Sequence, residues 1–253
     1  MFGSLFRSPA ADLPALPAMP EGERVYAIGD IHGRTDLFEA LLTRIFADHA
    51  ARQPASFKLI LLGDLIDRGP DSAKMLDSAI ELQRRLGSRF VALKGNHEEV
   101  FERVLAGDDA ALALMLRFGG VQTLASYGLA PELADSLDYD RLTMRLASAV
   151  PDAHVAFLAT MPDAVTIGDY LFVHAGIRPG VSIEQQRGSD LRWIRQPFLD
   201  HEDDFGKVVV HGHSIAEQPE LRANRLGIDT GAYASGRLTA LGLEGTDRWI
   251  LQT

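Results

Sequence analysis

Cysteine is absent from the 253 residues of this sequence, so disulfide bonds, thiolate metal sites and cysteine nucleophiles are all excluded. Positive charge is scarce as well: 25 Lys and Arg residues stand against 35 Asp and Glu residues, a formal net charge of −10. Broad binding to nucleic acid or to an anionic membrane requires a basic face. The composition therefore predicts no nucleic-acid or membrane partner, and a cysteine-free chain suits the cytoplasm, where we expect the protein.

Long apolar runs are missing too, since no segment approaches the roughly 18 consecutive apolar residues of a membrane span. Hydrophobic residues make up 46% of the chain and charged residues 24%, the ordinary mixture of a globular protein. Prolines at positions 14, 17 and 20 interrupt the start of the chain. We expect residues 1–22 to form a flexible N-terminal tail and residues 23–253 to form one domain.

The sequence does contain five short apolar runs, each leading into a polar turn flanked by glycine. The runs are 25–28, 57–62, 90–93, 170–173 and 208–210. Such runs are typical of buried strands, and three more strands are expected near 225–228, 237–243 and 249–251. Helical patterns separate the first three runs, and this alternation predicts a layered α/β fold. The Ala- and Leu-rich stretch at about 99–161 predicts a helical region beside the sheets.

Metal-competent side chains follow each of the five glycine-bounded runs. They are Asp30 and His32, Asp64 and Asp67, Asn96 and His97, His174, and the pair His211 and His213. Ligands of open α/β sheets bind beyond the carboxyl ends of the strands, so we expect these groups to lie together. Carboxylate, imidazole and amide groups without thiolate suit Mn, Fe or Zn. The groups are too many for one ion, which favours two ions about 3.5–4 Å apart that share a carboxylate.

Three of these segments carry a recognisable pattern: Gly29–Gly33 (GDIHG), Gly63–Gly69 (GDLIDRG) and Gly95–Glu98 (GNHE). They resemble the signature blocks of the calcineurin-like metallophosphoesterases, and in particular the phosphoprotein phosphatase branch with its bacterial and phage-type serine/threonine phosphatases. The segments around His174 and His213 are similar to the later metal-ligand blocks. The resemblance implies a four-layer sandwich in which two mixed β-sheets are flanked by helices.

The resemblance also implies a role for each site residue. The metal ligands would be Asp30, His32, Asp64, Asn96, His174 and His213, with Asp64 bridging the two ions. His97 would act as the general acid and Asp67 would orient it. Arg68 and Arg195 would bind the substrate phosphate, because a guanidinium binds phosphate oxygens bidentately.

The expected activity is a dimetal-dependent phosphomonoesterase, namely a serine/threonine protein phosphatase acting on a phosphoprotein or phosphopeptide. A hydroxide that bridges two divalent ions, with Mn expected before Fe or Zn, would attack phosphorus directly. The alternative is a dinucleoside polyphosphate hydrolase of the diadenosine tetraphosphate type. That group tends to have Gln where His32 stands, which favours the phosphatase.

The role of several residues close to these motifs in the sequence is left open or differs from a direct site role. His211 is either a site residue or a packed side chain, and Asp229 either forms a turn or hydrogen-bonds to a metal-bound histidine. Lys94 stands where the family often has an arginine, but lysine lacks the fork of donors that a direct phosphate contact uses. Glu98 and Glu99 are expected to complement the dipole of the helix that begins there.

Overall fold

A computed structural model of the chain describes residues 16–129 and 139–253. The strands in these ranges are β1 (Glu23–Ile28), β2 (Ser56–Leu61), β3 (Phe90–Ala92), β4 (Ala164–Ile167), β5 (Tyr170–Val173), β6 (Val208–His211), β7 (Glu220–Leu221), β8 (Arg225–Gly227), β9 (Thr239–Glu244) and β10 (Asp247–Gln252). The sequence predicted all but β4 and β7. These two are outer strands, β4 is only partly buried and β7 has two residues, so neither carries a continuous buried apolar run.

Nine α-helices are found in the same ranges. They are α1 (Thr35–Ala51), α2 (Ser72–Leu86), α3 (Asn96–Leu105), α4 (Asp109–Arg117), α5 (Gly120–Ser126), α6 (Tyr139–Ala149), α7 (Asp152–Thr160), α8 (Gly188–Trp193) and α9 (Ala232–Ser235). Helices α3 to α7 occupy the stretch expected to be helical, of which residues 130–138 lie outside the described residues. Residues 1–15 of the expected tail lie outside them as well.

The strands form two sheets of five, in the orders β10-β9-β1-β2-β3 and β4-β5-β6-β8-β7. The first sheet is mixed, because β1, β2 and β3 run parallel while β9 is antiparallel to β1 and to β10. The second sheet is mixed in the same way, with parallel β5, β6 and β8 between antiparallel β4 and β7. Each sheet therefore has three parallel strands whose carboxyl ends can meet at one edge.

Successive side chains of a strand point to opposite faces, and this alternation separates the cores. Val25 of β1 and Phe172 of β5 belong to the apolar cluster shared by the two sheets. Tyr26, the next residue of β1, belongs to the cluster that contains Phe38 of α1. Leu171 of β5 packs in a third cluster with residues of α8 and the following loop. The predicted four-layer sandwich, with helices outside two mixed sheets, is confirmed.

The segment that precedes β1 is attached to both sheets where it is described. The amide of Ala18 donates to Asp169 Oδ2 (3.0 Å), and the amide of Met19 donates to the Gly245 carbonyl (2.8 Å). The Met19 side chain is buried in the cluster between the sheets. In the described ranges, no helix has the length and apolar character that crossing a bilayer requires.

Unusual backbone conformations concentrate where the parallel strands end. In the described residues the non-glycine residues with positive φ are His32 (48°), Asp64 (50°), Asp67 (67°), Arg68 (67°) and His213 (61°). A non-glycine residue in the left-handed region costs free energy and persists only where surrounding contacts hold it. All five are candidate site residues, so the strained turns of the described residues lie at the candidate site.

Candidate metal and phosphate site

Asp64 lies at the centre of the site and faces two groups of histidines. Its Oδ2 atom is 3.6 Å from His32 Nε2 and 3.8 Å from His97 Nε2, whereas its Oδ1 atom is 3.4 Å from His174 Nε2. In the described part of the chain, His32, Asp64 and His97 form one group with ligand atoms within 4.8 Å of one another, and Asp64, His174 and His213 form a second. One carboxylate thus belongs to both groups, each of which could hold an ion.

Backbone carbonyls fix the orientation of two of these imidazoles. His32 Nδ1 lies 2.7 Å from the Ile66 carbonyl, and His174 Nδ1 lies 2.9 Å from the Leu62 carbonyl. A carbonyl only accepts, so His32 Nδ1 carries the hydrogen and its Nε2 keeps the lone pair. His174 has an accepting oxygen beside both ring nitrogens, and a cation between Nε2 and the Asn96 oxygen requires the same tautomer. Metal-binding histidines are commonly oriented by such a partner on the other ring nitrogen. Both Nε2 atoms face Asp64, which is the orientation that ion binding needs.

Unpaired buried nitrogens support the same conclusion. The Nε2 atoms of His32 and His213 are buried and have no hydrogen-bond partner. Leaving such an atom unsatisfied costs about 1–3 kcal/mol, and a bound cation removes that cost. The Asn96 amide oxygen lies 3.0 Å from His174 Nε2, at the same location. The donor set of imidazole, carboxylate and amide oxygen therefore fits divalent Mn, Fe or Zn.

Asp30 is buried beside the second group. Both of its carboxylate oxygens lie 3.1 Å from the backbone amide of His213. Its Oδ1 atom lies 2.0 Å from where a Cβ on Gly212 would stand, so only glycine fits there. Burial and the neighbouring carboxyls of Asp229 and Asp64 raise the pKa of Asp30 well above its usual value. Such crowding of carboxyl groups is relieved by a divalent cation.

Asp229 forms the turn that was expected as one alternative, and it also contacts a candidate metal ligand. Its Oδ1 atom accepts a hydrogen bond from the Gly231 amide (2.9 Å), which forms a turn. The carboxyl is nevertheless 3% exposed and lies against Asp30, and burial raises its pKa to about 6. Asp229 therefore contacts a candidate ligand, although that ligand is a carboxyl and not the histidine that was considered.

The histidines of the site fall into two classes by charge. Burial lowers the pKa of His32 and of His213 to about 3, and it also lowers the pKa of His174. These three imidazoles are neutral at pH 7 and can bind an ion. Burial would lower the pKa of His97 too, but the charge of Asp64 and the hydrogen bond to Asp67 outweigh it and raise the pKa to about 9. A protonated imidazole has no lone pair, so His97 suits an acid better than a ligand.

His97 is held by Asp67, and Asp67 is itself held by Thr123 of α5, a residue that the motifs do not single out. His97 Nδ1 donates to Asp67 Oδ2 over 2.6 Å. Thr123 Oγ1, on α5, donates to Asp67 Oδ1 over 2.5 Å and is fully buried. Each oxygen of the Asp67 carboxylate therefore has one partner, and the two hydrogen bonds together fix the orientation of the carboxylate relative to the His97 ring.

Two arginines, Arg68 and Arg195, line the cavity at the site. Arg68 Nη2 lies 3.2 Å from His97 Nε2, so both groups face one point of the cavity. Arg195 Nη2 donates to the His213 carbonyl over 3.2 Å, and both residues line that cavity. Lys94 turns away and pairs with Glu102 (2.6 Å), so it makes no phosphate contact in this arrangement. The neighbouring Arg192 pairs with Glu99 (2.8 Å) and with Asp163, which leaves Arg195 facing the cavity.

Glu98 has a larger role than the expected dipole interaction. It is completely buried, and Oε2 accepts hydrogen bonds from the amides of Asp64 and Gly95, each 2.8 Å long. Its Oε1 atom accepts from the Leu65 amide over 2.7 Å. Burial raises the pKa of Glu98 to about 7. One carboxyl group thus joins the loop of Asp64 to the loop of Asn96 and His97. The sequence signal for this role is a glutamate three residues after the N-cap of a helix, the spacing of a capping box.

His211 is packed away from the ion groups. Its Nδ1 atom lies 3.0 Å from the Gly212 carbonyl, and its ring meets the Phe198 ring edge-on at 5.0 Å between centroids. Its buried Nε2 atom is unpaired. Of the two alternatives, the arrangement favours the packed side chain.

A cavity opens over the site and has two kinds of wall. The polar wall comprises Asp64, Asp67, Arg68, Asn96, His97, Arg195 and His213. The other lining residues form the apolar wall: Val100, Leu114, Met115, Phe118 and Trp193. A phosphate group fits the polar wall because arginine, imidazolium and bound cations would all neutralise it.

Relatives of known name align over most of the chain. A bis(5'-nucleosyl)-tetraphosphatase PrpE [asymmetrical] of Anoxybacillus flavithermus is 27% identical over 232 residues, covering 85% of this chain and 88% of the relative. A symmetrical bis(5'-nucleosyl)-tetraphosphatase of Nitrosospira multiformis is 25% identical over 297 residues, covering 90% and 95%. The crystal structure of a candidate diadenosine tetraphosphatase superposes with a TM-score of 0.59 at 21% identity, covering 91% of this chain and 94% of that one, which shows a shared fold.

The family model of the calcineurin-like phosphoesterases matches residues 23–236. The matched segment contains every candidate ligand, both arginines and the His97–Asp67 pair. The chain therefore belongs to the calcineurin-like phosphoesterase family of dimetal-dependent hydrolases.

Proposed function

We propose that this protein hydrolyses dinucleoside tetraphosphates, cleaving a phosphoanhydride bond with water. The observation that carries the proposal is that the two relatives described above, which align over at least 85% of this chain, are bis(5'-nucleosyl)-tetraphosphatases, one asymmetrical and one symmetrical. The serine/threonine phosphatase expected from the sequence motifs becomes the second candidate.

The site residues divide into those that hold ions and those that handle the substrate. Asp30, His32 and Asp64 would hold one divalent ion, and Asp64 together with Asn96, His174 and His213 would hold the other. When bound, the two ions neutralise phosphoryl charge and lower the pKa of water enough to supply hydroxide near neutral pH. Asp64 suits the shared position because, although burial would raise its pKa, the surrounding imidazoles of His174, His97, His32 and His213 lower it well below its usual value.

Arg68 and Arg195, which line the same cavity, would bind and orient the phosphate chain. His97 would hold a proton at Nε2, facing the point that Arg68 also faces. When water attacks phosphorus, the bridging P–O bond breaks and the departing oxygen takes the electron pair; His97 can then donate the proton. Asp67 would keep the imidazole in the orientation that presents Nε2 to that oxygen.

Product analysis tests the proposal. The Mn²⁺-loaded protein is incubated with diadenosine tetraphosphate, and the products are separated by anion-exchange chromatography. Asymmetrical cleavage yields AMP and ATP, whereas symmetrical cleavage yields two ADP. We expect one of these product pairs, and a protein that hydrolyses p-nitrophenyl phosphate but leaves diadenosine tetraphosphate intact contradicts the proposal.

A serine/threonine phosphatase remains the second candidate because of His32. The resemblance associates His at this position with the protein phosphatases, and the Nε2 atom of His32 lies 3.6 Å from Asp64 Oδ2. The two candidates differ in the substrate that gives the higher kcat/KM. Parallel assays on diadenosine tetraphosphate and on a phosphoserine peptide rank them directly.

A further inference from the structure

The apolar wall of the cavity forms a recess beside the phosphate-binding groups. We define the apolar recess as Val100, Leu114, Met115, Phe118 and Trp193. Phe118 is 47% exposed, which is unusual for a large aromatic side chain. An apolar lining beside a few convergent charged groups is typical of a ligand pocket.

Backbone contacts place the recess next to the phosphate position. The amide of Arg68 donates to the carbonyl of Gly119 over 2.9 Å. The turn that carries Phe118 therefore rests on the arginine expected to bind phosphate. Val100 lies one helical turn after His97 on α3, so the opposite side of the recess is tied to the candidate acid. A molecule with a phosphate at the polar wall has its next group within reach of Phe118.

The indole of Trp193 is held in place by a partner outside the cavity. Its Nε1 atom donates to Glu99 Oε2 over 2.8 Å, and Arg192 donates to the same oxygen atom over 2.8 Å. The polar edge of the indole is therefore satisfied, and its apolar surface is left to line the recess. Two aromatic side chains that line the same cavity as Arg68 and Arg195 suit a flat aromatic ligand, because every nucleobase has a face that stacks on an aromatic side chain.

We propose that the apolar recess binds the nucleobase of the nucleoside attached to the phosphate chain. The inference rests on the proposed function, and it adds which residues recognise the nucleoside. Arg68 and Arg195 bind the phosphates, while Phe118 and Trp193 contact the base. A phosphoserine side chain has no flat ring with which to fill this recess.

The test compares AMP with ribose 5-phosphate, two probes that differ only in the base. Isothermal titration calorimetry on the Mn²⁺-loaded protein measures the Kd of each probe. We expect AMP to bind about tenfold more tightly than ribose 5-phosphate, the size of one base–aromatic contact. In Phe118→Ala the two probes should bind with nearly equal Kd. Equal binding in the wild-type protein, or an AMP preference that survives Phe118→Ala, overturns the proposal.

Phe46→Ala is the matched control, because Phe46 is 42% exposed and lies on α1, away from the recess. The wild-type preference for AMP should persist in this variant. Trp193 fluorescence gives a local readout in Trp249→Phe, since the chain contains 2 tryptophans. AMP should change the emission of Trp193 and ribose 5-phosphate should not; an identical response to both probes contradicts base contact.

The failure of this proposal can be told apart from the failure of the proposed function. If diadenosine tetraphosphate is left intact while AMP still binds more tightly than ribose 5-phosphate, the proposed reaction is wrong and the base site stands. If diadenosine tetraphosphate is hydrolysed while the two probes bind equally, the reaction stands and the base site is wrong.

Discussion

His97 Nδ1 lies 2.6 Å from Asp67 Oδ2, and this hydrogen bond joins a buried carboxylate to the one site histidine whose pKa is raised, to about 9. The pair keeps a proton available at neutral pH within a cluster of otherwise neutral imidazoles. A proton donor matters most when the departing group is strongly basic, so the dependence of rate on the leaving group reports the role of His97.

We predict that His97→Asn lowers kcat on free phosphoserine by about 10²–10⁴-fold. On p-nitrophenyl phosphate, whose leaving group departs readily without a proton, the loss should be at least tenfold smaller. Steady-state kinetics at saturating Mn²⁺ measures both. Equal losses on the two substrates contradict an acid role and indicate general damage to the site.

Thr123 tests whether the orientation of Asp67 matters. Thr123→Val keeps the shape of the side chain but removes the hydrogen bond to Asp67 Oδ1, leaving a buried carboxylate oxygen without its partner. We predict a several-fold fall in kcat with little change in KM, and a loss of about 1–3 kcal/mol in the free energy of unfolding. Thr123→Ser restores the hydroxyl and should recover most of kcat. A serine variant as slow as the valine variant contradicts the positioning role.

Glu98 tests whether the two metal-binding loops depend on one buried carboxyl. It accepts hydrogen bonds from the amides of Asp64, Leu65 and Gly95. Glutamine offers one oxygen, so in Glu98→Gln an amide NH₂ group meets a backbone donor. We predict a 10–100-fold weaker affinity for Mn²⁺, the usual cost of losing an outer partner of the ligands. Titration calorimetry with Mn²⁺ measures it.

Glu102→Gln is the matched control on the same helix. Glu102 pairs with Lys94 (2.6 Å) near the surface, where an ion pair contributes little. Its Mn²⁺ affinity should stay within about twofold of wild type. If both variants lose affinity equally, the buried carboxyl has no special role.

Asp48 carries a prediction about stability and pH that is independent of the ion site. It accepts hydrogen bonds from Tyr26 Oη (2.6 Å), Arg52 Nε (2.9 Å) and Trp249 Nε1 (3.0 Å). Burial would raise the pKa of Asp48, but the hydrogen bonds from Arg52 and Tyr26 outweigh it and lower the pKa. The ionised form is therefore favoured by the folded state, and the stabilisation is present above the unfolded pKa of about 3.9.

Asp48→Asn should accordingly lower the free energy of unfolding by about 1–2 kcal/mol at pH 7. The difference in free energy of unfolding between wild type and Asp48→Asn should shrink as the pH falls below about 3.9 and through the lower pKa that Asp48 has in the folded state. Urea unfolding of both proteins across this range measures it. A difference that stays constant down to the lowest pH at which both proteins fold contradicts the argument.

The positions of the strand ends could be predicted because each is determined by a few residues that are adjacent in the sequence. A buried apolar run followed by Gly–Asp or Gly–Asn–His fixes both the strand and the polar turn, and β1, β2 and β3 end where these patterns indicate. The motif order also identified the metal candidates, since few arrangements of Asp, Asn and His follow strands in this way. The family resemblance supplied the two-sheet architecture, which periodicity alone does not distinguish from other α/β folds.

The supporting residues were not predictable in the same way. Thr123 reaches Asp67 across 56 positions of sequence, and Trp193 reaches Glu99 across 94, so no short pattern links either pair. Glu98 looked like an ordinary first-turn acid because its three partners lie on other loops. Substrate preference depends on such contacts. The motifs favoured a serine/threonine phosphatase, whereas the names of the relatives favour a tetraphosphatase.

The proposed hydrolysis requires two divalent ions that share Asp64. The most direct measurement is metal content by mass spectrometry, with turnover of diadenosine tetraphosphate, for wild type and Asp64→Asn after equilibration with Mn²⁺ and desalting. We predict about two ions per wild-type chain and, in the variant, loss of bound metal together with loss of turnover. Full turnover by a chain that retains no metal, or by Asp64→Asn, would contradict it.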